Sequence, residues 1–230
     1  MQLNNEQQDI WVYIYYIFLS SILTSILEVL HSFTIHGDIE LINFSIPIVA
    51  GIFFGYLLAK NRILSRTLVK IATIDGLTGI YNRMQFNQFL DIEIDRANRY
   101  DGLFSIISMD IDHFKRINDQ FGHQAGDKVL IEFCKLVTLR NRSSDIFARY
   151  GGEEFIILVQ NSNLENTRLH AERLCQEVAK HTFENIGRVT CSFGVTEFRN
   201  NDDSSTSVLN RADIALYKAK ENGRNRVIAE

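Results

Sequence analysis

The first 59 residues contain no lysine and no arginine. Two uncharged apolar stretches run through them, "IWVYIYYIFLSSILTSI" (residues 10–26) and "LINFSIPIVAGIFFGYLLA" (residues 41–59). Each approaches the roughly 20 apolar residues that cross a bilayer. Trp11, Tyr13, Tyr15 and Tyr16 crowd the start of the first, as an interfacial aromatic belt would. The reading is a two-helix transmembrane anchor over residues 1–59. A pair of buried soluble helices is the alternative; a cleaved leader would need a basic start, which is absent. Lys60, Arg62, Arg66 and Lys70 follow directly, so basic-residue asymmetry puts everything beyond them in the cytoplasm, and two spans bring the N-terminus back there. Pro47 is expected to kink the second helix. Gly51, Gly55 and Ala59 form a small-residue stripe for a helix–helix contact, either with another copy or with the first span. Residues 60–73 read as a helical linker, with Leu64, Leu68 and Ile71 starting a coiled-coil seam.

Five of the 28 acids lie in that charge-poor start, whereas all 24 bases follow it. The remainder is near neutral, which excludes a broad basic surface for nucleic acid. Cys134, Cys175 and Cys191 sit in apolar surroundings without paired spacing, and read as buried reduced thiols.

From residue 74 to 230 helical and extended patterns alternate. Helical periodicity marks residues 83–100, 127–140, 163–180 (Asn163 as N-cap) and 207–223, the last closed by Gly223. Apolar extended runs mark residues 103–110, 145–150, 154–160, 188–198 and 225–229. This order predicts an α/β domain with a mixed central sheet covered by helices.

One segment breaks the pattern. "RYGGEEF" (residues 149–155) sets Gly151, Gly152, Glu153 and Glu154 between two strands. A glycine pair there predicts a hairpin, with positive φ and open backbone that a ligand can approach. "SMDID" (residues 108–112) ends another strand with Asp110 and Asp112. Acids from neighbouring strand ends beside a glycine turn make a hard-oxygen Mg²⁺ site, suited to a triphosphate. A solvated acidic turn is the plain alternative for the hairpin alone.

The segments "DGLTGIYNR" (75–83), "DIDHFKRINDQFGHQAGD" (110–127), "RSSD" (142–145), "RYGGEEF", "CSFGV" and "ADIALYKAKENGRNRV" (212–227) together resemble the GGDEF family of bacterial diguanylate cyclases. The resemblance implies a palm-like nucleotidyl cyclase domain. It implies joining of two GTP into cyclic di-GMP with release of two pyrophosphates, by a homodimer in which each domain brings one GTP. By the same resemblance Asp110, the Ile111 carbonyl and Glu153 bind Mg²⁺ (with Mn²⁺ as a substitute), and Glu153 is also the general base. Asn118 and Asp127 recognise guanine, with His123 nearby. Lys115, Lys220 and Arg224 meet phosphates, as do backbone N–H groups after Asp112. Gly151 and Gly152 form the substrate-facing turn, and Glu154 lies near the metal. Arg142 and Asp145 match the family's inhibitory product site, with Arg173 as a further contributor. The whole is expected as a multi-pass protein of the bacterial inner membrane, touching lipid through residues 1–59. A catalytically silent cyclic di-GMP receptor is the rival reading.

Overall fold

The computed structural model describes residues 5–35, 45–199 and 204–230. The chain divides into two compact units, Met1–Lys70 and Ile71–Glu230. The first unit contains helix α1 (Asn5–Ile35) and most of helix α2 (Ser45–Thr73). Their meeting face is made of small and hydroxyl residues. A Cβ on Gly51 would stand 2.5 Å from Thr24 Oγ1, and one on Gly55 would strike Ser20 Oγ and the Tyr16 carbonyl. Ser20 Oγ donates to the Gly51 carbonyl at 2.5 Å, and Tyr13 stacks on Tyr56 with centroids 5.8 Å apart. The small-residue stripe is thus used within one chain, against α1. Hydroxyls in the middle of α1 are turned onto its own backbone: Ser21 donates to Ile17 O at 2.7 Å, and Ser25 to Ser21 O at 2.8 Å. The outer surfaces are apolar; Phe18 is 68% exposed, Leu23 63% and Phe53 62%.

Two expectations change here. Pro47 falls in the first turn of α2, where its missing N–H would have had no partner in any case, so no kink follows from it. The two expected transmembrane helices gain no structural support, because among the described residues no helix is long and apolar enough to cross a membrane. Residues 36–44, which hold the start of the second expected span and half of the polar link "HSFTIHGDIE" (31–40) before it, lie outside the described residues. The linker is helical as expected, being the end of α2, although the side chains of Leu68 and Ile71 in its seam are likewise not described.

The second unit opens with strand β1 (Tyr81–Asn82) and helix α3 (Arg83–Tyr100), followed by β2 (Phe104–Ile111), α4 (Phe114–Phe121) and α5 (His123–Thr138). Strands β3 (Ile146–Arg149) and β4 (Glu154–Gln160), helix α6 (Leu164–Lys180) and the short strands β5 (Thr182–Phe183) and β6 (Gly187–Arg188) come next. Strand β7 (Cys191–Glu197), helix α7 (Ser205–Glu221) and β8 (Val227–Ala229) close the chain. Six strands form one mixed sheet in the order β1-β3-β4-β2-β7-β8. Central β2 is antiparallel to both β4 and β7, while β1–β3 and β7–β8 are parallel.

Alternation along β2 decides which layer each side chain meets. Ile107, Met109 and Ile111 join a core with Phe133 of α5, Leu174 of α6 and Phe155 of β4. Phe104 and Ile106 join the opposite core with Leu90 of α3 and Ala212 of α7. Helices therefore cover both faces. Phe86, Phe104, Phe133, Phe155 and Phe193 are fully buried; each such burial stabilises the fold by roughly 1.5–3 kcal/mol. The same alternation turns Asp110 toward the α7 side. Gly194 in β7 lets α7 come close, since a Cβ there would strike the backbone of Ala212 and Leu216. The Asn163 cap forms as expected, accepting from the Asn166 N–H at 2.9 Å. Helix α7 is capped at its C-terminal end by Asn222, one residue before Gly223.

Candidate active site and a second polar cavity

The β3–β4 hairpin forms, but not for the reason its glycines suggest. Neither Gly151 nor Gly152 has a positive φ. A Cβ on Gly151 would meet the Glu154 carboxylate, while Gly152 faces open space that a ligand can enter. The turn is closed by Tyr150 N–H and Gly151 N–H donating to the Glu154 carbonyl at 2.8 and 3.2 Å. It is then gripped from one side. Arg149 donates from Nε and Nη2 to the Gly152 carbonyl at 3.1 and 2.7 Å, and from Nη1 to both Asp75 carboxylate oxygens at 3.2 and 3.3 Å. Asp75 also accepts from the Thr78 N–H and hydroxyl at 2.9 and 2.6 Å. Burial pushes the Asp75 carboxyl up, but the Thr78 and Arg149 interactions outweigh it and hold it below the ordinary value. No role was read for Asp75 or Arg149 from sequence, although both lie inside segments that stood out.

The strand ends gather acid. Asp110 is paired across the sheet with Glu154, and the Glu153 carbonyl accepts the Ile111 N–H at 3.3 Å. Asp110 is 8% exposed, and Lys220 of α7 places Nζ 2.8 Å from its Oδ2. Burial, with Glu154 and Asp112 nearby, still pushes the Asp110 carboxyl up despite that lysine. Half-buried Glu153 is pushed up by burial and then by Asp110, with Lys220 opposing and Glu154 adding. Asp110, Glu153, Glu154 and Lys220 thus form one electrostatic group. Asp112 does not belong to it chemically: it is buried and saturated by Ser192, Thr190 and the Asn225 N–H. The expectation of two equivalent acids at this strand end is corrected because β2 stops at Ile111: Asp112 lies just past the strand, where Thr190, Ser192 and Asn225 take up its carboxylate.

Among the described residues no group of three or more His, Cys, Asp or Glu side chains gathers tightly enough to hold a metal ion. The donors available are the two carboxylates of Asp110 and Glu153, plus main-chain carbonyls such as that of Ile111. All are hard oxygens, and their crowding disfavours ionisation without a further cation, so the donor set fits Mg²⁺.

The remaining expected residues lie on α4, on α5 and in the turn after α7. Lys115 is exposed in the first turn of α4, whose N-terminus has no side-chain cap. Asn118 is half-buried on α4 against Gly126, where a Cβ would strike its Oδ1. His123 and Asp127 are exposed in the first turns of α5. Arg224 is exposed with φ 63°, just beyond α7.

A second polar site lies between α6 and the turn that precedes β3. Arg142, Asp145 and Arg173 line one cavity of about 320 Å³ with Arg140, His170 and Glu177. The "RSSD" segment is a tight turn in which Asp145 Oδ2 accepts the Arg142 N–H at 2.9 Å. Asp145 Oδ1 and Asn141 Nδ2 are buried without a hydrogen-bond partner among the described residues. His170 shares 3.1 Å with Asn141 Oδ1; burial lowers its pKa, Arg173 and Arg142 lower it further, and Asp145 opposes them. Neither His170 nor Asn141 stood out in the sequence. Only the packing of α6 brings them there.

A mixed sheet with helices on both faces, paired acids at its central strand end and a lysine from the covering helix is an arrangement suited to a cation and a phosphate-bearing ligand. The particular family is shown by comparison. Residues 72–226 match the family model "Diguanylate cyclase, GGDEF domain", and the chain belongs to that family. It is 44% identical over 159 residues to the diguanylate cyclase DgcP of Pseudomonas aeruginosa, covering 68% of this chain and 24% of that protein. It is 40% identical over 164 residues to a diguanylate cyclase of Vibrio cholerae, covering 71% of this chain and 51% of that protein. Among solved structures, the coiled coil and GGDEF domain of DgcB from Caulobacter crescentus, in complex with c-di-GMP, superposes with TM-score 0.71 at 34% identity. That match covers 75% of this chain and 93% of the DgcB chain.

Proposed function

We propose that this chain is a diguanylate cyclase that condenses two GTP into cyclic di-GMP. The observation that carries the reading is the juxtaposition of Asp110 and Glu153 at adjacent strand ends, with Lys220 2.8 Å from Asp110. Bound there by Asp110, Glu153 and the Ile111 carbonyl, Mg²⁺ would neutralise charge on the triphosphate and on the departing pyrophosphate. Glu153, its carboxyl pushed up by burial and by Asp110, is suited to accept the proton of the 3′-hydroxyl. The 3′-oxygen then bonds to the α-phosphorus of the second GTP as the α–β bridging bond breaks. Lys220, Arg224, Lys115 and the uncapped start of α4 face the phosphates. Asn118 and Asp127, with His123 beside them, pair with the guanine edge. One domain presents one such half-site, so closing the ring takes a homodimer. Purified protein incubated with GTP and Mg²⁺ should yield cyclic di-GMP; its absence, with intact folding, would refute the assignment.

Product feedback is part of the proposal. The Arg142–Asp145–Arg173 cavity offers guanidinium groups to a guanine-bearing phosphodiester. The same cavity would serve a catalytically silent receptor, but the complete carboxylate group favours the enzyme.

Membrane anchoring through residues 1–59 is also proposed, at the bacterial inner membrane with the catalytic domain inside. Support comes from the uncharged runs, the apolar outer surfaces of α1 and α2, and the hydroxyls of α1 satisfied by their own helix backbone. Fractionation of expressing cells tests it: recovery of the full chain in the soluble fraction would refute it.

A further inference from the structure

Three consecutive residues after α7 have positive φ: Gly223 at 106°, Arg224 at 63° and Asn225 at 46°. Glycine adopts this conformation freely and asparagine more readily than most residues, but two non-glycine residues in succession, one of them arginine, need to be held in it. The holding groups are identifiable. Arg224 N–H donates to the Ala219 carbonyl at 3.0 Å, which is the end of α7 folding back on itself. Asn225 N–H donates to Asp112 Oδ2 at 3.0 Å, across more than a hundred residues of chain. The same carboxylate accepts from Thr190 Oγ1 and Ser192 Oγ, each at 2.7 Å, and the Asp112 N–H donates to the Thr190 carbonyl at 2.9 Å. Asp112 is 5% exposed. A buried carboxylate with three donors is an anchored acceptor, and it sits one residue beyond the Ile111 carbonyl and two beyond Asp110.

Two parts of the site therefore share this anchor. One is the end of β2, carrying Asp110 and Ile111. The other is the segment running from Lys220 to Arg224. We propose that Asp112 is a positioning residue: by accepting the Asn225 N–H it holds the left-handed Arg224–Asn225 pair, and so sets the phosphate-facing cations relative to the acidic strand end. Asp112 acts through the loop and touches neither nucleotide nor metal. This rests on the reading of Lys220 and Arg224 as phosphate ligands, and deepens it.

The test uses the full chain with the substitutions Asp112→Ala, Asp112→Asn and Asn225→Gly. Two readouts avoid turnover: amide hydrogen exchange of residues 223–226, and binding of GTP against GMP with divalent metal chelated. In Asp112→Ala, exchange at residues 223–226 should speed up at least tenfold. GTP binding should weaken roughly tenfold, while GMP binding, dominated by the base, should hold. Asn225→Gly added to Asp112→Ala should recover part of the GTP binding, because glycine needs no holding at that φ. Asp112→Asn keeps a carbonyl oxygen for the Asn225 N–H while its amide faces the Ser192 hydroxyl, which can accept. It should therefore retain slow exchange, and it serves if the alanine variant fails to fold. Unchanged exchange at residues 223–226 in Asp112→Ala would overturn the proposal, as would equal loss of GTP and GMP binding. Slow exchange with lost Mg²⁺ binding in Asp112→Asn would also overturn it, making Asp112 a ligand. Product formation by the parent protein is measured alongside: its failure would sink the cyclase reading, whereas the exchange result judges the Asp112 anchor independently.

Discussion

At the end of β2, Asp110, Glu153 and Glu154 crowd around one ammonium, that of Lys220. In the cavity beside α6, three guanidinium groups, from Arg140, Arg142 and Arg173, share a wall with two carboxylates and His170. The first group is anionic, lies along strand ends and opens at Gly152 to free space. The second is cationic and concave. Each departs from neutrality in the direction that calls for a missing partner: a cation for the first, an anion with hydrogen-bonding edges for the second. Elsewhere the domain satisfies its buried charge locally, as at Asp112 and at Asp75. The two imbalances have opposite signs, and so do the ligands proposed for them.

The contrast is broken most severely at Glu153. Glu153→Gln should lower turnover of GTP at least about a hundredfold, measured as product per enzyme. It should not destabilise the fold. A carboxyl whose folded pKa is raised costs stability once it ionises, fully above that raised value and not at all below its unfolded value. Glutamine should therefore melt slightly higher than the parent at neutral pH, with the gap closing in acid. A lower melting temperature at pH 7 would mean that Glu153 is held by the fold and not strained within it.

Next comes the clamp that locates the turn. Arg149→Ala removes charge-assisted bonds to Gly152 and Asp75, and should cost about 1.5–3 kcal/mol of stability and roughly tenfold in turnover. Asp75 has a depressed carboxyl, so its contribution is present above the unfolded value and fades as pH falls through the lower folded value. Denaturant titrations should show parent and variant converging below about pH 4. On the cationic side, Arg142→Ala should weaken inhibition by added cyclic di-GMP about tenfold, read from progress curves. Equal inhibition of variant and parent would reduce "RSSD" to a turn. The smallest effect is expected for Asp145→Asn. It keeps an acceptor for the Arg142 N–H and removes a buried charge with an orphaned oxygen. Inhibition should weaken a few-fold with stability within about 0.5 kcal/mol of the parent.

Much of this was legible in the residues alone. Helix α3 and strand β4 fall at the bounds their periodicity marks, because a period of 3.6 or 2 is a local property that burial on one face imposes. The Asn163 cap is equally local, a side chain reaching its own backbone three residues on. The acidic strand end and the glycine turn were visible as composition out of place. Helix α4 was not, since its eight residues are too short for periodicity to declare. The small strands β1, β5 and β6, two residues each, are defined only by their partners.

What the sequence by itself determined is the order of elements, the alternation that sends Asp110 to one face, and the residue types of a phosphoryl-transfer site. Tertiary structure alone decided how apparently equal residues divide their work. Asp110 and Asp112 are two apart, yet one is strained beside Glu153 and Lys220 and the other is saturated by Thr190, Ser192 and Asn225, from two distant segments. Arg149 and Asp75 meet across 74 residues, and Arg173 shares a cavity with Arg142 only because α6 packs beside α5, whose following turn carries Arg142. Gly51 and Gly55 could have served another copy but are filled by α1 of the same chain. The physical reason is common to all four. Periodicity tells a side chain which face it occupies, but its partner is set by which distant backbone the sheet and helices bring within 3 Å, and a buried polar group takes whatever donor arrives there.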